Sequence, residues 1–215
     1  MSHNRCIQLK LYYFFQNVKI IVNYKGFLQI NFETGGYVKL KKIIFVVDML
    51  KGFCTIGPLA SKDINNLVPN IAKFLEKNKE EKIVFLCDSH SKDDIEMESY
   101  PIHCLNNTDE SEIEDLLKPF AKEIINKNTT NSFLAIKDKS IFEDYDAFEI
   151  IGCCTDICVL QFALTLKTYL NSIHLNKDVI VFKNLVDTFD SENHNRKEYH
   201  DFALKLMANS GIIIK

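Results

Sequence analysis

Three cysteines lie close together in the segment Gly152-Cys-Cys-Thr-Asp-Ile-Cys158, which joins two apolar runs. The second run has helical spacing, so Cys158 falls in the first turn of a predicted helix. Unpaired N–H groups and the positive end of the helix dipole would lower the pKa of a thiol there and favour the nucleophilic thiolate. Taken alone, a cysteine that opens an apolar helix is more often a packing residue. A catalytic role for Cys158 therefore needs support from the rest of the chain.

A second group of polar residues has the composition of a metal site. Asp88-Ser-His90 closes an apolar run, and its spacing lets a carboxylate and an imidazole reach one divalent cation, with Glu96 and His103 following in the next segment. Mixed oxygen and imidazole ligands suit zinc, iron or manganese. The same stretch is rich in acidic residues, so a solvated surface loop is the alternative interpretation.

Two further candidates are ordinary when taken singly. Asp48 ends an apolar run, where it could equally cap a helix, and Lys127 lies in the polar stretch 126–131. In an open parallel sheet the carboxyl ends of the strands face the binding crevice. We therefore expect Asp48, Asp88, Lys127 and the turn before Cys158 to meet at one edge of the sheet.

The elements that must position these residues alternate along the chain from Lys41 onward. Apolar runs separated by amphipathic stretches predict repeated βαβ units, and hence a three-layer α/β/α fold with a mainly parallel central sheet. Strands are predicted at Lys42–Asp48, Lys82–Asp88, Phe148–Gly152, Lys177–Lys183 and Gly211–Ile214. Helices are predicted at Ile64–Lys79, at Ser111–Ile125 with a kink at Pro119, at Asp156–Leu170 and at Arg196–Asn209, the last capped by a preceding asparagine.

Residues 1–40 do not follow this alternation. They hold aromatic and β-branched runs and a Gly35-Gly36 turn, which fit either an added hairpin or a tail. We therefore expect an N-terminal extension of uncertain structure at 1–40 and one domain at 41–215. A natural product that starts near Lys41 would fit the same pattern.

Composition narrows the class of protein. The 215 residues are 47% hydrophobic, enough for one well-buried α/β domain. With 26 basic and 29 acidic residues, and without a long basic stripe, the chain is a poor candidate for binding nucleic acid or an anionic membrane. A small molecule is the better expectation for its ligand.

The cysteines and the N-terminal apolar stretch indicate the cellular compartment in which the protein is expected. The seven cysteines are odd in number and form no CxxC pair, so a reducing cytoplasmic setting fits better than a secreted disulfide framework. The apolar stretch 11–22 is interrupted by polar residues, too short to span a bilayer and without a signal-peptide cleavage site. We expect neither export nor anchoring.

The joint order of these segments resembles the nicotinamidase/isochorismatase-like cysteine hydrolases, and the resemblance covers residues 41–215. It rests on five ordered motifs, which are hard to obtain together by chance. They are Asp48 with Phe53 in Val47-Asp-Met-Leu-Lys-Gly-Phe53, Asp88-Ser-His90, Pro101-Ile-His103-Cys104, Lys127 ahead of Ser132-Phe133, and Gly152-Cys-Cys-Thr-Asp-Ile-Cys158-Val159.

The resemblance implies a catalytic triad of Asp48, Lys127 and Cys158. Asp48 would take the thiol proton and pass it to the leaving amine, while Lys127 would stabilise the thiolate. Cys158 would attack a carboxamide and form a thioester that water hydrolyses. The backbone N–H groups of Cys154 and Cys158 would form the oxyanion hole, next to a cis peptide between Cys153 and Cys154.

The metal ligands implied by the family are Asp88, His90 and His103, with Glu96 in the fourth position and Glu98 as its substitute. One divalent ion is expected, zinc first, with iron or manganese as alternatives. Nicotinamidases use this ion to hold the pyridine nitrogen of the substrate, whereas isochorismatases lack the ligands. The resemblance therefore favours hydrolysis of nicotinamide to nicotinate and ammonia.

The same resemblance implies a ring pocket lined by Phe53, Tyr100 and Phe133, and a homo-oligomer. Two departures from the family pattern weaken the choice of substrate. Leu50 and Gly52 stand where polar side chains are usual, and Asn107-Thr108 stands where the family usually has glycine-threonine. Another small amide, a carbamoyl compound or an enol ether stays open as a substrate. A catalytically idle binding module is argued against by the intact triad, and redox sensing by Cys158 is a further alternative.

Overall fold

The computed structural model describes residues 18–22, 28–32 and 40–215, and its contacts divide the chain into units 1–39 and 40–215. In the first unit, β1 (Val18–Val22) pairs antiparallel with β2 (Leu28–Phe32). This is the pairing that a hairpin requires. The predicted turn at Gly35-Gly36 lies outside the described residues.

A six-stranded sheet forms the centre of the second unit. Its strands are β3 (Lys42–Val47), β4 (Lys82–Asp88), β5 (Ile124–Lys127), β6 (Ala147–Cys153), β7 (Asp178–Asp187) and β8 (Ile213–Ile214). They lie in the order β5-β4-β3-β6-β7-β8, and every neighbouring pair is parallel. The prediction of a parallel α/β sheet is confirmed.

Helices cover both faces of this sheet. They are α1 (Lys51–Cys54), α2 (Lys62–Asn65), α3 (Val68–Lys77), α4 (Ile141–Asp144), α5 (Leu160–Ser172) and α6 (Arg196–Asn209). Successive side chains of β3 point to opposite faces: Phe45 packs with Phe162 of α5, and Ile44 belongs to the cluster that contains Ile71 of α3. Because the sheet is buried on both faces, the strands read as continuous apolar runs.

The helix predicted at Ser111–Ile125 is wrong. Glu114 N–H bonds to the carbonyl of Met49, and the carbonyl of Glu112 accepts from Lys51 N–H, so this backbone pairs with the turn after β3 instead of with itself. Two short 3-10 turns lie here before β5 begins, Asp109–Ser111 at the start of the segment and Lys118–Phe120 within it. Proline in the second turn has no N–H to continue a helix.

Smaller differences concern the ends of elements. The stretch 64–79 forms two helices, α2 and α3, and Pro69 lies in the first turn of the second one. The helix predicted at Arg196–Asn209 is confirmed with the same bounds, because the Asn195 side chain accepts from Glu198 N–H and caps it. Within the described part of the chain, no helix combines the length and apolarity needed to cross a bilayer.

Candidate active site

Four strand ends deliver the candidate residues to one edge of the sheet. Asp48 directly follows β3, Asp88 ends β4, and Lys127 ends β5 opposite Asp88 in the strand register. Cys158 lies in the turn of π-helix, Thr155–Val159, that follows β6 and leads into α5. The carboxyl edge therefore collects the residues that the sequence predicted would meet there.

Lys127 lies at the centre of this group and is buried between two carboxylates. Its Nζ is 2.8 Å from Asp48 Oδ2, hydrogen-bonds to Asp88 Oδ1, and is 3.8 Å from Cys158 Sγ. Burial acts to lower the pKa of Lys127, but the negative charges of Asp48, Cys158 and Asp88 together raise it well above its usual range. The lysine is therefore a fixed cation, within reach of the thiol.

Asp48 and Cys158 have environments that favour their neutral forms. Burial, followed by the charge of Asp88, raises the pKa of Asp48 to about 6 although Lys127 opposes the shift. Burial also raises the pKa of the Cys158 thiol well above its usual range, against the attraction of Lys127. The lowered thiol pKa expected from the start of a helix is thus wrong, because desolvation outweighs the favourable charges. The Cys158 thiol is therefore protonated at rest, and it would need a base before it could act as a nucleophile.

Asp88, His90 and His103 form a second group beside Lys127. Their ligand atoms lie within 4.8 Å of one another, and each histidine Nε2 is 3.6 Å from an oxygen of Asp88. The other ring nitrogen of each histidine, Nδ1, is hydrogen-bonded. His90 Nδ1 is 3.1 Å from Asp94 Oδ2, and His103 Nδ1 is 2.7 Å from the carbonyl oxygen of Pro101.

This donor set fits a divalent ion. With both Nδ1 atoms occupied, the Nε2 atoms face the Asp88 carboxylate, which is the arrangement that outer hydrogen bonds impose on metal-binding histidines. His90 Nε2 is buried and has no hydrogen-bond partner among the described residues. Such an orphaned acceptor is costly unless something binds it.

Glu96 and Glu98, the two residues expected in the fourth ligand position, lie apart from the group of Asp88, His90 and His103. Glu96 lines the same cavity as Asp88 and His103, and its Oε1 accepts from Thr130 N–H at 2.9 Å. Glu98 is exposed. Neither belongs to the described group of close ligand atoms.

A cavity of about 460 Å³ opens onto both groups. Asp48 and Cys158 line its inner end, and Phe53 and Tyr100 lie near His103, with ring centroids 5.6 and 6.3 Å from the imidazole. The lining also includes residues 58–63 and Phe189, Asp190 and Ser191. A planar ring could lie between the aromatic side chains with an amide carbon near Cys158.

Of two residues expected beside the cavity, Cys154 lines it and Phe133 does not. Cys154 lines the cavity, and the peptide that joins it to Cys153 is cis, as the family resemblance implied. Phe133 instead packs in the core, with its ring stacked on Phe142 at 5.6 Å, and is absent from the described cavity lining. Phe133 is buried within the 3-10 turn Ser132–Leu134.

Several residues near the site were not identified from the sequence. Asp94 appeared only as part of an acidic stretch, yet it binds His90, the Ser91 N–H and the Asn128 side chain. Asp156 was noted only as part of the cysteine segment, and its carboxylate bonds to His194 Nε2 at 2.8 Å. A signal for Asp94 exists in its spacing of four residues from His90, although this spacing is common.

Comparison with known proteins agrees with this geometry. The isochorismatase domain model matches residues 42–214. Nicotinamidase 1 of Arabidopsis thaliana is 30% identical over 178 residues, with 72% of each chain covered. Nicotinamidase PncA from Bacillus subtilis superposes with a TM-score of 0.66 at 23% identity, covering 81% of this chain and 99% of that one. Pyrazinamidase of Pyrococcus horikoshii, solved in complex with zinc, gives 0.62 at 21% identity, covering 81% and 98%. The chain belongs to the isochorismatase family.

Proposed function

We propose that this protein hydrolyses nicotinamide to nicotinate and ammonia. The observation that carries the proposal is one cavity lined by Cys158 and Asp48 and, beside them, by Asp88 and His103. A nucleophile and a possible anchor for a ring nitrogen thus share one small space. The 30% identity to an Arabidopsis nicotinamidase supports the same substrate.

In the proposed mechanism, Asp48 acts first as a base. Its pKa of about 6 suits a group that must accept a proton and later return it near neutral pH. As the Cys158 proton moves to Asp48, the sulfur attacks the amide carbon, and Lys127 stabilises the negative charge that develops on sulfur. The S–C bond forms and the carbonyl oxygen takes the negative charge.

The backbone N–H groups of Cys154 and Cys158 are the proposed donors to that oxygen. Collapse of the adduct breaks the C–N bond, and Asp48 returns its proton to the departing ammonia. Water then attacks the thioester while Asp48 accepts a proton again. Collapse of this second adduct breaks the C–S bond, and Asp48 passes its proton to the leaving sulfur. The carboxylic acid product leaves and ionises to nicotinate, so the Cys158 thiol and the Asp48 carboxylate are both restored.

Asp88, His90 and His103 are the proposed holders of a divalent ion, zinc first and iron or manganese as alternatives, with Glu96 as a fourth ligand. When bound, such an ion supplies a Lewis acid that can hold the pyridine nitrogen of the substrate. Phe53 and Tyr100 would then confine the ring at the inner end of the cavity. This arrangement orients the amide toward Cys158.

The test is ammonia release from nicotinamide by the purified protein, loaded with zinc and kept reduced. Cys158→Ala should abolish turnover, whereas Cys54→Ala, at another buried thiol of the same domain, should leave it intact. Removal of metal with a chelator should lower turnover, and added zinc should restore it. Absence of turnover in the metal-loaded, reduced protein would exclude nicotinamide as substrate.

A second candidate keeps the mechanism and changes the substrate to another small amide, a carbamoyl compound or an enol ether. It is favoured by the charged residues Lys62, Asp63 and Asp190 in the cavity lining, which could meet a substituent that a pyridine ring lacks. A panel of such compounds, assayed beside nicotinamide at equal concentration, separates the two. The best kcat/KM identifies the substrate.

We also propose that residues 41–215 form the catalytic domain, that residues 1–40 are an extension, and that the protein acts in the cytoplasm as a homo-oligomer. The six cysteines in the described part of the chain are free thiols, which suits a reducing compartment. A truncation to 41–215 should retain turnover. Light scattering coupled to size exclusion gives the oligomeric state, and a single-chain mass would contradict the proposal.

A further inference from the structure

The glycine at position 52, where the family usually has a polar side chain, lies against a tightly packed neighbour. A Cβ on Gly52 would be 2.6 Å from Cys104 Sγ and 2.9 Å from the carbonyl oxygen of Glu110. Both distances are too short for a real side chain. The segment 104–110 therefore occupies the space that a residue with a side chain would need.

The side chain of Glu110 lies between Gly57 and Cys104. Its carboxylate lies against Gly57, where an added Cβ would be 2.5 Å from Glu110 Cδ, and the φ of +87° at Gly57 also favours glycine. Glu110 Oε2 accepts from Cys104 N–H at 3.0 Å. Two glycines thus leave room for one carboxylate to reach the peptide of Cys104.

The backbone of Cys104 connects with both histidines of the candidate metal site. Cys104 directly follows His103, and its carbonyl accepts from His90 N–H at 3.0 Å. The carbonyl of His90 accepts in turn from Asn106 N–H at 2.8 Å, so residues 104–106 run alongside His90. Cys104 is buried with a φ of +43°, a conformation that needs support from its surroundings.

We infer that Glu110 is a positioning residue for His90 and His103. By fixing the Cys104 peptide, its carboxylate sets the backbone from which His103 projects and the carbonyl that holds His90. The inference rests on the metal site of the proposed function. It also explains the departure at Gly52, because a side chain there would displace Glu110 and Cys104 together.

The experiment compares Glu110→Ala and Glu110→Gln with Asp109→Ala, which removes the exposed neighbouring carboxylate. Zinc affinity is measured by competition with a chromogenic chelator, and the visible spectrum of the cobalt-substituted protein reports ligand geometry. Loss of an outer partner typically lowers metal affinity 10- to 100-fold. Because Glu110 acts through the backbone, we expect about a tenfold loss and an altered cobalt spectrum in Glu110→Ala.

Glu110→Gln keeps an oxygen that can accept from Cys104 N–H, so it should bind zinc as wild type does, as should Asp109→Ala. A purely structural role for Glu110 would lower thermal stability and leave the cobalt spectrum unchanged. If Glu110→Ala fails to fold, Glu110→Asp, one methylene too short for this bond, replaces it. Wild-type affinity in the variant that lacks the bond, or equal weakening in Glu110→Gln, would overturn the inference.

Failure of the proposed function gives a different result. Protein that binds zinc through His90 and His103 but releases no ammonia from nicotinamide removes the substrate assignment and leaves the role of Glu110 intact. Protein that binds no zinc or cobalt overturns the inference about Glu110 itself.

Discussion

Two buried or partly buried lysines lie at opposite edges of the same sheet and differ in what surrounds them. At the amino edge, Lys42 Nζ is 2.8 Å from Asn78 Oδ1 and 3.2 Å from Glu149 Oε2, with 24% of its side chain exposed. At the carboxyl edge, Lys127 is 1% exposed and shares its charge between Asp48 and Asp88. One cation with one carboxylate is balanced, whereas one cation between two carboxylates leaves negative charge in excess.

The excess negative charge around Lys127 is the main difference between the ion pairs at the two edges. At the carboxyl edge, burial and the neighbouring carboxylate raise the pKa of Asp48, which makes this residue able to exchange a proton near neutral pH. The cavity that Asp48 and Cys158 line includes neither Lys42 nor Glu149. Burial and charge imbalance, rather than residue type, distinguish the two edges.

The largest effect is expected from Lys127→Met. This change removes the cation that Asp48 and Asp88 share, and breaking a buried ion pair by deleting one partner costs about 3–5 kcal/mol. Urea denaturation should show this loss in the free energy of unfolding, and ammonia release should disappear. Retained turnover in a folded Lys127→Met protein would contradict the assigned role.

Phe133→Ala tests whether the Phe133 ring contributes to the hydrophobic core or to substrate binding. Because Phe133 stacks on Phe142, we expect a loss of about 3 kcal/mol in the free energy of unfolding, with little change in KM. The matched change Phe53→Ala, at a ring that lines the cavity, should raise KM. Thermal unfolding and steady-state kinetics of both variants distinguish the roles. A raised KM in Phe133→Ala alone would place its ring on the substrate side.

Asp94→Ala tests the metal side of the carboxyl edge. Asp94 Oδ2 holds His90 Nδ1, so loss of this oxygen should lower zinc affinity about 10- to 100-fold in chelator competition. The matched change Asp93→Ala, at an exposed neighbour, serves as the control and should bind zinc like wild type. Equal affinities for the two variants would show that the Asp94 contact does not orient the imidazole.

The smallest effect is expected at the amino edge. Lys42→Met removes a partly solvated ion pair, so the free energy of unfolding should fall by about 1 kcal/mol and turnover should stay unchanged. A loss as large as that of Lys127→Met would remove the distinction between the two edges. Urea denaturation of both variants under one buffer provides this comparison.

The sequence allowed much of the fold and site to be predicted. Strands β3 and β4 were found from their apolar runs, and α6 was found with its ends because Asn195 provides a cap. Asp48, Asp88 and Cys158 close or follow strands, so parallel topology alone brings them together.

Other features depend on partners that are distant along the chain. Strand β5 is only four residues long and partly exposed, so Lys127 was assigned to a polar stretch instead of a strand end. The segment after Ser111 has helical spacing, but its backbone bonds to Met49 and Lys51 prevent a helix. The contacts of Glu110 and the raised thiol pKa of Cys158 likewise follow from tertiary packing.

The position of Asp88 has a consequence for how this site can change during evolution. One of its oxygens bonds to Lys127 and lies 3.6 Å from His90, and the other lies 3.6 Å from His103. A mutation at this codon therefore disturbs the partner of the lysine and the histidine pair in a single step. If the histidines are lost by mutation, Asp88 still binds Lys127. We therefore expect Asp88 to be retained more often than His90 and His103 among diverged relatives.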